Sequence, residues 1–391
     1  MPDKPEHVRL TVGRHAVPTR RHARHDSIDA RHSLAPIGRD MKGSKEAMAT
    51  PHRGNLFDLL RIAAACAVIV SHHFPITQTA PPAWLHASMV GGVAVMTFFA
   101  ISGYLVTQSW LRQPEVLPFL YRRFLRIWPG LLLAVLSNIF LFGVLFTSLP
   151  ATDFLAHPET VGYFRNLMLV KDYPNLPGVF EANPLPRLMN GPLWTIPMES
   201  LCYLALAGAG VLGLLASRRL ACAAGMGYIA FFLVARNADL TGEMRHWFEY
   251  PAYFAYGALI AVFRKEFHAC PGRLLLVLAP LAAFLFFGLR MEHSAGLLLL
   301  PPLLIFLGSL NIPTLARLQR GGDPSYGIYL YGCPVQQSVQ ALWPGLPFAQ
   351  SLLLSIVLAV MAGYASWHLM ESPALRLKRF IARTPASRPG P

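Results

Sequence analysis

The chain has 391 residues, 54% of them hydrophobic and 14% charged, with a formal net charge of +14. Soluble domains carry about 25% charged residues, so this balance excludes an ordinary soluble core and points to a multi-pass membrane protein. The positive charge falls in short clusters between apolar runs, with no basic face interleaved with aromatics, which argues against a nucleic-acid binder.

Residues 1–52 are different in kind. Lys and Arg outnumber Asp and Glu there, His is frequent, and apolar periodicity is absent. The stretch reads as a disordered basic cytoplasmic tail with no apolar signal-peptide core. Met41 and Met48 are alternative starts. The His-rich composition is better explained by a solvated tail than by metal binding, and no metal site is expected elsewhere. The five cysteines, Cys66, Cys202, Cys222, Cys270 and Cys333, lack metal-ligand or disulfide spacing.

Ten apolar runs follow, over 56–75, 88–108, 129–149, 193–215, 220–236, 248–263, 273–290, 294–311, 325–343 and 349–370. Long runs without alternation are helices, and a helix in lipid satisfies its own backbone. The expected fold is an all-α integral membrane bundle of about ten transmembrane helices. Lys and Arg concentrate in the tail, in 109–128, 216–219, 264–272 and 312–324, and after 370. By the positive-inside rule these segments and both termini are cytoplasmic. The membrane domain then covers 53–376, the Pro- and Asn-rich 150–192 is an external loop, and 377–391 is a second cytoplasmic tail.

The first run, NLFDLLRIAAACAVIVSHHFPI over 55–76, carries Asp58, Arg61, His72 and His73. Eleven residues bring a helical side chain back to within about 20° of its start. Asp58, Arg61 and His72 therefore share a face, Arg61 and His72 lie about 16 Å apart along the axis, and His73 points elsewhere. Asp58 and Arg61 alone could be an interfacial i,i+3 pair. An imidazole at depth more often faces a bundle interior or a wet cavity.

In FLYRRFLRIWP over 119–129, Arg123 and Arg126 are i,i+3 neighbours. The stretch reads either as a stop-transfer cluster or as an anion clamp, guanidinium forks being suited to phosphate. In NGPLWTIPMESLCYL over 190–204, Trp194 reads as an interface anchor and Glu199 as a carboxylate in the outer half of a span. At a depth like that of His72 it could pair with it. Gln336 and Gln337 could line a polar cavity, and Glu371 could pair with Arg376.

Five motifs in order resemble the membrane acyltransferase-3 family: Asp58, Arg61 and His72; Phe98, Phe99, Ser102, Gly103 and Tyr104; Arg123 and Arg126 with Pro129; Trp194, Glu199 and Tyr203; and Ser325, Tyr326, Tyr329 and Leu330. The resemblance covers 54 to about 380. It departs at Gly332, where many members carry His, and it lacks the C-terminal hydrolase-like domain of some relatives. It implies a stand-alone O-acyltransferase of the bacterial inner membrane. Such an enzyme would move an acyl group, by default acetyl, from cytoplasmic acyl-CoA to a hydroxyl outside, typically on a surface polysaccharide or glycolipid. The resemblance implies His72 and Glu199 as catalytic residues, with Arg61, Arg123 and Arg126 on the acyl-CoA. Asp58, Ser102, Tyr104, Trp194, Tyr203, Tyr326 and Tyr329 would support them. Two rival expectations are a secondary transporter with an intramembrane charge relay and a non-catalytic scaffold.

Overall fold

A computed structural model describes residues 55–238, 244–316 and 321–380. The basic tail expected over 1–52, Arg317, Arg320 and the end of the chain after Phe380 lie outside the described residues. Among the described residues the regular structure is helical throughout, with isolated β-bridges only. The long helices are α1 (Phe57–Thr77), α2 (Ala87–Arg112), α3 (Val116–Ser137), α4 (Thr195–Val211), α5 (Arg218–Asn237), α6 (Arg245–Val262), α7 (Pro271–Ala283), α8 (Glu292–Ser309), α9 (Ser325–Leu342) and α10 (Phe348–Ser366).

Seven of these, counting the continuations of α3, α7 and α10, are long and apolar enough to cross a bilayer. The other three expected spans are the helices α4, α6 and α9, of 17, 18 and 18 residues. α6 and α9 are diluted by polar residues where they face protein, α6 burying Glu249 and α9 burying Gln336 and Gln337, whereas α4 is apolar but short.

The third span begins earlier than the sequence suggests. Pro129 was the expected start, yet α3 runs through it from Val116 and continues by a π-helical segment, Asn138–Gly143, to Phe146. Proline is tolerated within membrane helices where neighbouring groups satisfy the freed backbone. Arg122, Arg123 and Arg126 therefore sit on a helix wall and not in a connection between helices.

Close helix approach is set by small residues, since packing rather than water drives association in lipid. A Cβ on Gly103 of α2 would stand 2.0 Å from the Phe254 carbonyl oxygen of α6, and one on Gly257 of α6 would stand 2.2 Å from the Ala100 carbonyl oxygen of α2. The two backbones touch at this crossing. Against α1, α2 runs antiparallel: a Cβ on Gly91 would stand 2.5 Å from Ser71 Oγ, which places Gly91 level with the His72 turn.

The 150–192 connection is folded onto α9. The Gln337 amide donates to the carbonyls of Leu185 (2.7 Å) and Leu188 (3.0 Å), and accepts from Asn183 (2.8 Å). Asn190 donates to the Leu330 carbonyl at 2.8 Å. Gln336 instead donates to the Ile69 carbonyl (2.8 Å) and to His73 Nδ1 (3.0 Å). The two glutamines expected to line a cavity are structural ties, because a buried amide at depth must find backbone partners.

Candidate active site

A cavity of about 670 Å³ lies among α1, α2, α3, α4 and α9. One end is basic and is built from Arg112, Gln113, Arg122, Arg123 and Lys378; the other reaches Val95, Thr195 and Tyr329. Asp58, Arg61, Ser102, Arg126, Glu199, Tyr203 and Tyr326 line it between these ends. Most of the residues singled out in the sequence thus converge on one space. His72, Tyr104 and Trp194 do not line it.

The charges beside the cavity divide into two sets. Arg126 sits 2.5 Å from Asp323 and 3.6 Å from Glu371, and Arg61 sits 3.5 Å from Asp323 and 3.8 Å from Asp58. Glu371, expected beside Arg376, faces Arg126 and accepts from Ser366 at 3.0 Å. Burial alone would raise the Asp323 carboxyl, but Arg126, Arg61 and the Ser325 hydroxyl and amide hold it below its usual range. Two arginines therefore meet three carboxylates, and Arg126 has little charge left for a ligand.

Arg122, Arg123 and Lys378 form the second set. No carboxylate lies within ion-pair distance of any of them among the described residues. The Arg122 guanidinium donates to Gln113 Oε1 at 2.5 Å, and the Arg123 guanidinium lies 5.8 Å over the Tyr203 ring. Burial, with Arg123, Arg126 and Arg122 beside it, brings the Lys378 amine down to about 8.

Glu199 belongs to this half of the molecule. Ser102 Oγ donates to Glu199 Oε1 at 3.1 Å, the Tyr203 hydroxyl donates to the same oxygen, and the two hydroxyls are 3.1 Å apart. Ser102 is eleven residues along α2 from Gly91, about 16 Å, and Gly91 marks the His72 turn. The expected depth match of Glu199 with His72 is therefore overturned. Its physical cause is the register of α4, which starts at Thr195 and carries Glu199 a full turn inward, to hydroxyl partners on α2.

His72 lies on the face of α1 that carries Arg61, beyond the end of the cavity at Val95. Val95 and Gly91 are four residues apart on α2, about 6 Å. His72 Nδ1 lies 2.9 Å from the Val68 carbonyl. A carbonyl only accepts, so Nδ1 carries the proton and the Nε2 lone pair of the neutral ring stays available. His73 has no such freedom: its Nδ1 accepts from Gln336 and its Nε2 donates to Ser351 Oγ at 2.8 Å.

Two expected supporting residues act elsewhere. The Tyr104 hydroxyl lies 2.8 Å from His268 Nε2, tying α2 to the short helix Arg264–Ala269. Trp194 packs against His246 and Tyr250 at 5.7 and 5.8 Å. There, Glu249 is 1% exposed and lies 2.7 Å from His293 Nδ1. Arg236 lies 3.1 Å from His293 Nε2. This network escaped the sequence because its members come from α5, α6 and α8, which no local motif links. Lys378, Gln113 and Asp323 were missed for the same reason. Gly332, where a His was expected by resemblance, packs on α1: a Cβ would stand 2.8 Å from Ile69 Cγ1.

A family profile described as an acyltransferase domain matches residues 55–369. The chain belongs to the acyltransferase-3 family. Among relatives, it is 29% identical over 355 residues to an O-acetyl transferase of Shigella phage Sf6, covering 85% of this chain and 98% of that one. It is 26% identical over 373 residues to nodulation protein 10 of Rhizobium leguminosarum bv. viciae, covering 86% and 97%. A shorter match, 28% over 150 residues, joins it to the acyltransferase MdmB of Streptomyces mycarofaciens, covering 37% and 36%. No solved structure matches the chain significantly. In this membrane acyltransferase the family's Gly103 makes the α2–α6 crossing, while Ser102 beside it turns to the cavity and Glu199.

Proposed function

We propose that this acyltransferase moves an acyl group, by default acetyl, from acyl-CoA to a hydroxyl of an extracytoplasmic acceptor. The acceptor we favour is a sugar of a surface polysaccharide or glycolipid. The observation that carries the reading is the cavity itself, basic at one end and running along the Arg61 face of α1 toward His72. The resemblance to an O-acetyl transferase supports acetyl and a hydroxyl acceptor. With both termini and the basic mouth on the cytoplasmic side of a bacterial inner membrane, the donor's phosphates would rest at the mouth. Its thioester arm would then extend past Glu199. The ten helices would all cross, with 150–192 outside.

At the far end the acceptor hydroxyl attacks the thioester carbonyl while His72 Nε2 takes its proton. The C–O bond forms, the C–S bond breaks, and the departing thiolate takes the proton back from the imidazolium. The Val68 carbonyl keeps the ring in the tautomer this requires. Ser102, Tyr203 and Glu199 give the channel wall a polar patch midway, where the amides of a pantetheine arm would find partners. Family membership favours group transfer over the transporter and scaffold readings.

His72→Ala is expected to lower acylation at least 100-fold, at the scale of general-base catalysis, with protein level and membrane insertion retained. The measurement is mass spectrometry of surface glycans from a deletion strain complemented with either form. Restoration of the acyl mass by the Ala variant would sink the assignment.

A further inference from the structure

We propose that Arg122, Arg123 and Lys378 together hold the phosphate groups of the acyl donor at the cavity mouth. The inference rests on the donor reading above and assigns it a specific grip.

Orphaned donors carry the argument. Nε and Nη2 of Arg122 and Nε of Arg123 are buried without a hydrogen-bond partner. Buried guanidinium nitrogens are ordinarily satisfied, and a charged donor left unpaired is costly. The neighbouring Arg126 shows the contrast, held between Asp323 and Glu371. Lys378 enters from a separate element, the turn Leu377–Phe380 after α10, and lines the same cavity. Its amine gains no carboxylate and faces the guanidiniums of Arg122, Arg123 and Arg126, so the site gathers like charge that only an anion can offset. Forked guanidiniums with a lysine beside them suit a group with several phosphate oxygens, such as a diphosphate or phosphomonoester.

The test uses the full chain in detergent, titrated with coenzyme A, pantetheine and inorganic pyrophosphate, with melting temperatures measured in parallel. Arg122→Gln and Lys378→Met should each lower the ratio of coenzyme A to pantetheine affinity at least tenfold. Their melting temperatures should hold or rise, because an uncompensated charge is removed. Unchanged ratios in variants of a protein that binds coenzyme A would overturn the grip and leave the donor reading standing. If the wild type binds no coenzyme A, the donor reading fails. Pyrophosphate binding that is lost in the variants would then support these three residues as a phosphate site for another ligand and overturn the grip on the acyl donor, and no pyrophosphate binding would overturn the site altogether.

Discussion

At the residue scale, the same side-chain type does different work three or four positions apart. Arg126 is spent on Asp323 and Glu371, whereas Arg122 and Arg123 keep buried nitrogens unpaired. The i,i+3 spacing that made Arg123 and Arg126 look like one clamp could not show this. Asp323 and Glu371 are distant in sequence and lie against Arg126 only once α9 and α10 are packed. Lys378 yields a pH prediction. Its amine titrates near 8 in the free protein, held down by burial and then by Arg123, Arg126 and Arg122. Arg112 and Arg61 from α2 and α1 also line the cavity, as do the carboxyl groups of Asp58 and Glu199. A bound anion favours the protonated amine. Donor affinity should therefore be flat below about pH 7 and weaken above 8, by up to about tenfold per pH unit until the amine of the complex also titrates. Lys378→Met should flatten that profile between pH 7 and 9 when KM for acetyl-CoA is measured. An unchanged slope in the variant would assign the titration to another group.

At the element scale, spans were legible where apolar residues ran without interruption and blurred where helices face protein. The Asp58, Arg61 and His72 face followed from 3.6-residue geometry on α1 alone. The partner of Glu199 did not, because the depth of α4 depends on where it starts beside α2. Glycine is a second case of the same distinction. Gly103 and Gly208 both lie in apolar helices, but the first has the Phe254 carbonyl 2.0 Å from its would-be Cβ and the second has nothing within 4 Å. A backbone oxygen cannot step aside as a side chain can. Gly103→Ala should force α2 and α6 apart and cost about 1–3 kcal/mol or more, as overpacking does. Gly208→Ala should be neutral, or stabilising by up to about 1 kcal/mol through helix propensity. Thermal unfolding of the two variants in the same detergent separates them. Equal melting temperatures would mean the α2–α6 crossing is looser than described.

At the scale of the whole molecule, the proposed function needs the donor path and the acceptor path to open on opposite sides of the membrane, so orientation is part of the mechanism. In the proposed orientation the Lys- and Arg-rich segments 109–128, 216–219 and 264–272, and with them the cavity mouth, face the cytoplasm. The chain carries its own reporter for that orientation. Of its five cysteines, Cys66 and Cys222 are half-buried, Cys202 and Cys333 are buried, and Cys270 is exposed. Cys270 lies between the short helix Arg264–Ala269 and α7, in one of the basic connections. Exposed thiolate reacts with maleimide, whereas buried thiol is protected. A membrane-impermeant maleimide should therefore label the unmodified protein in inside-out vesicles and spare it in intact spheroplasts, and Cys270→Ser should abolish the signal. A cysteine placed at Glu181, an exposed position in the 150–192 connection, should show the reverse pattern in that Cys270→Ser background. Labelling of Cys270 in spheroplasts would turn the molecule over. It would put the Arg122 mouth on the side where acyl-CoA is absent, which no rearrangement of catalytic residues could repair.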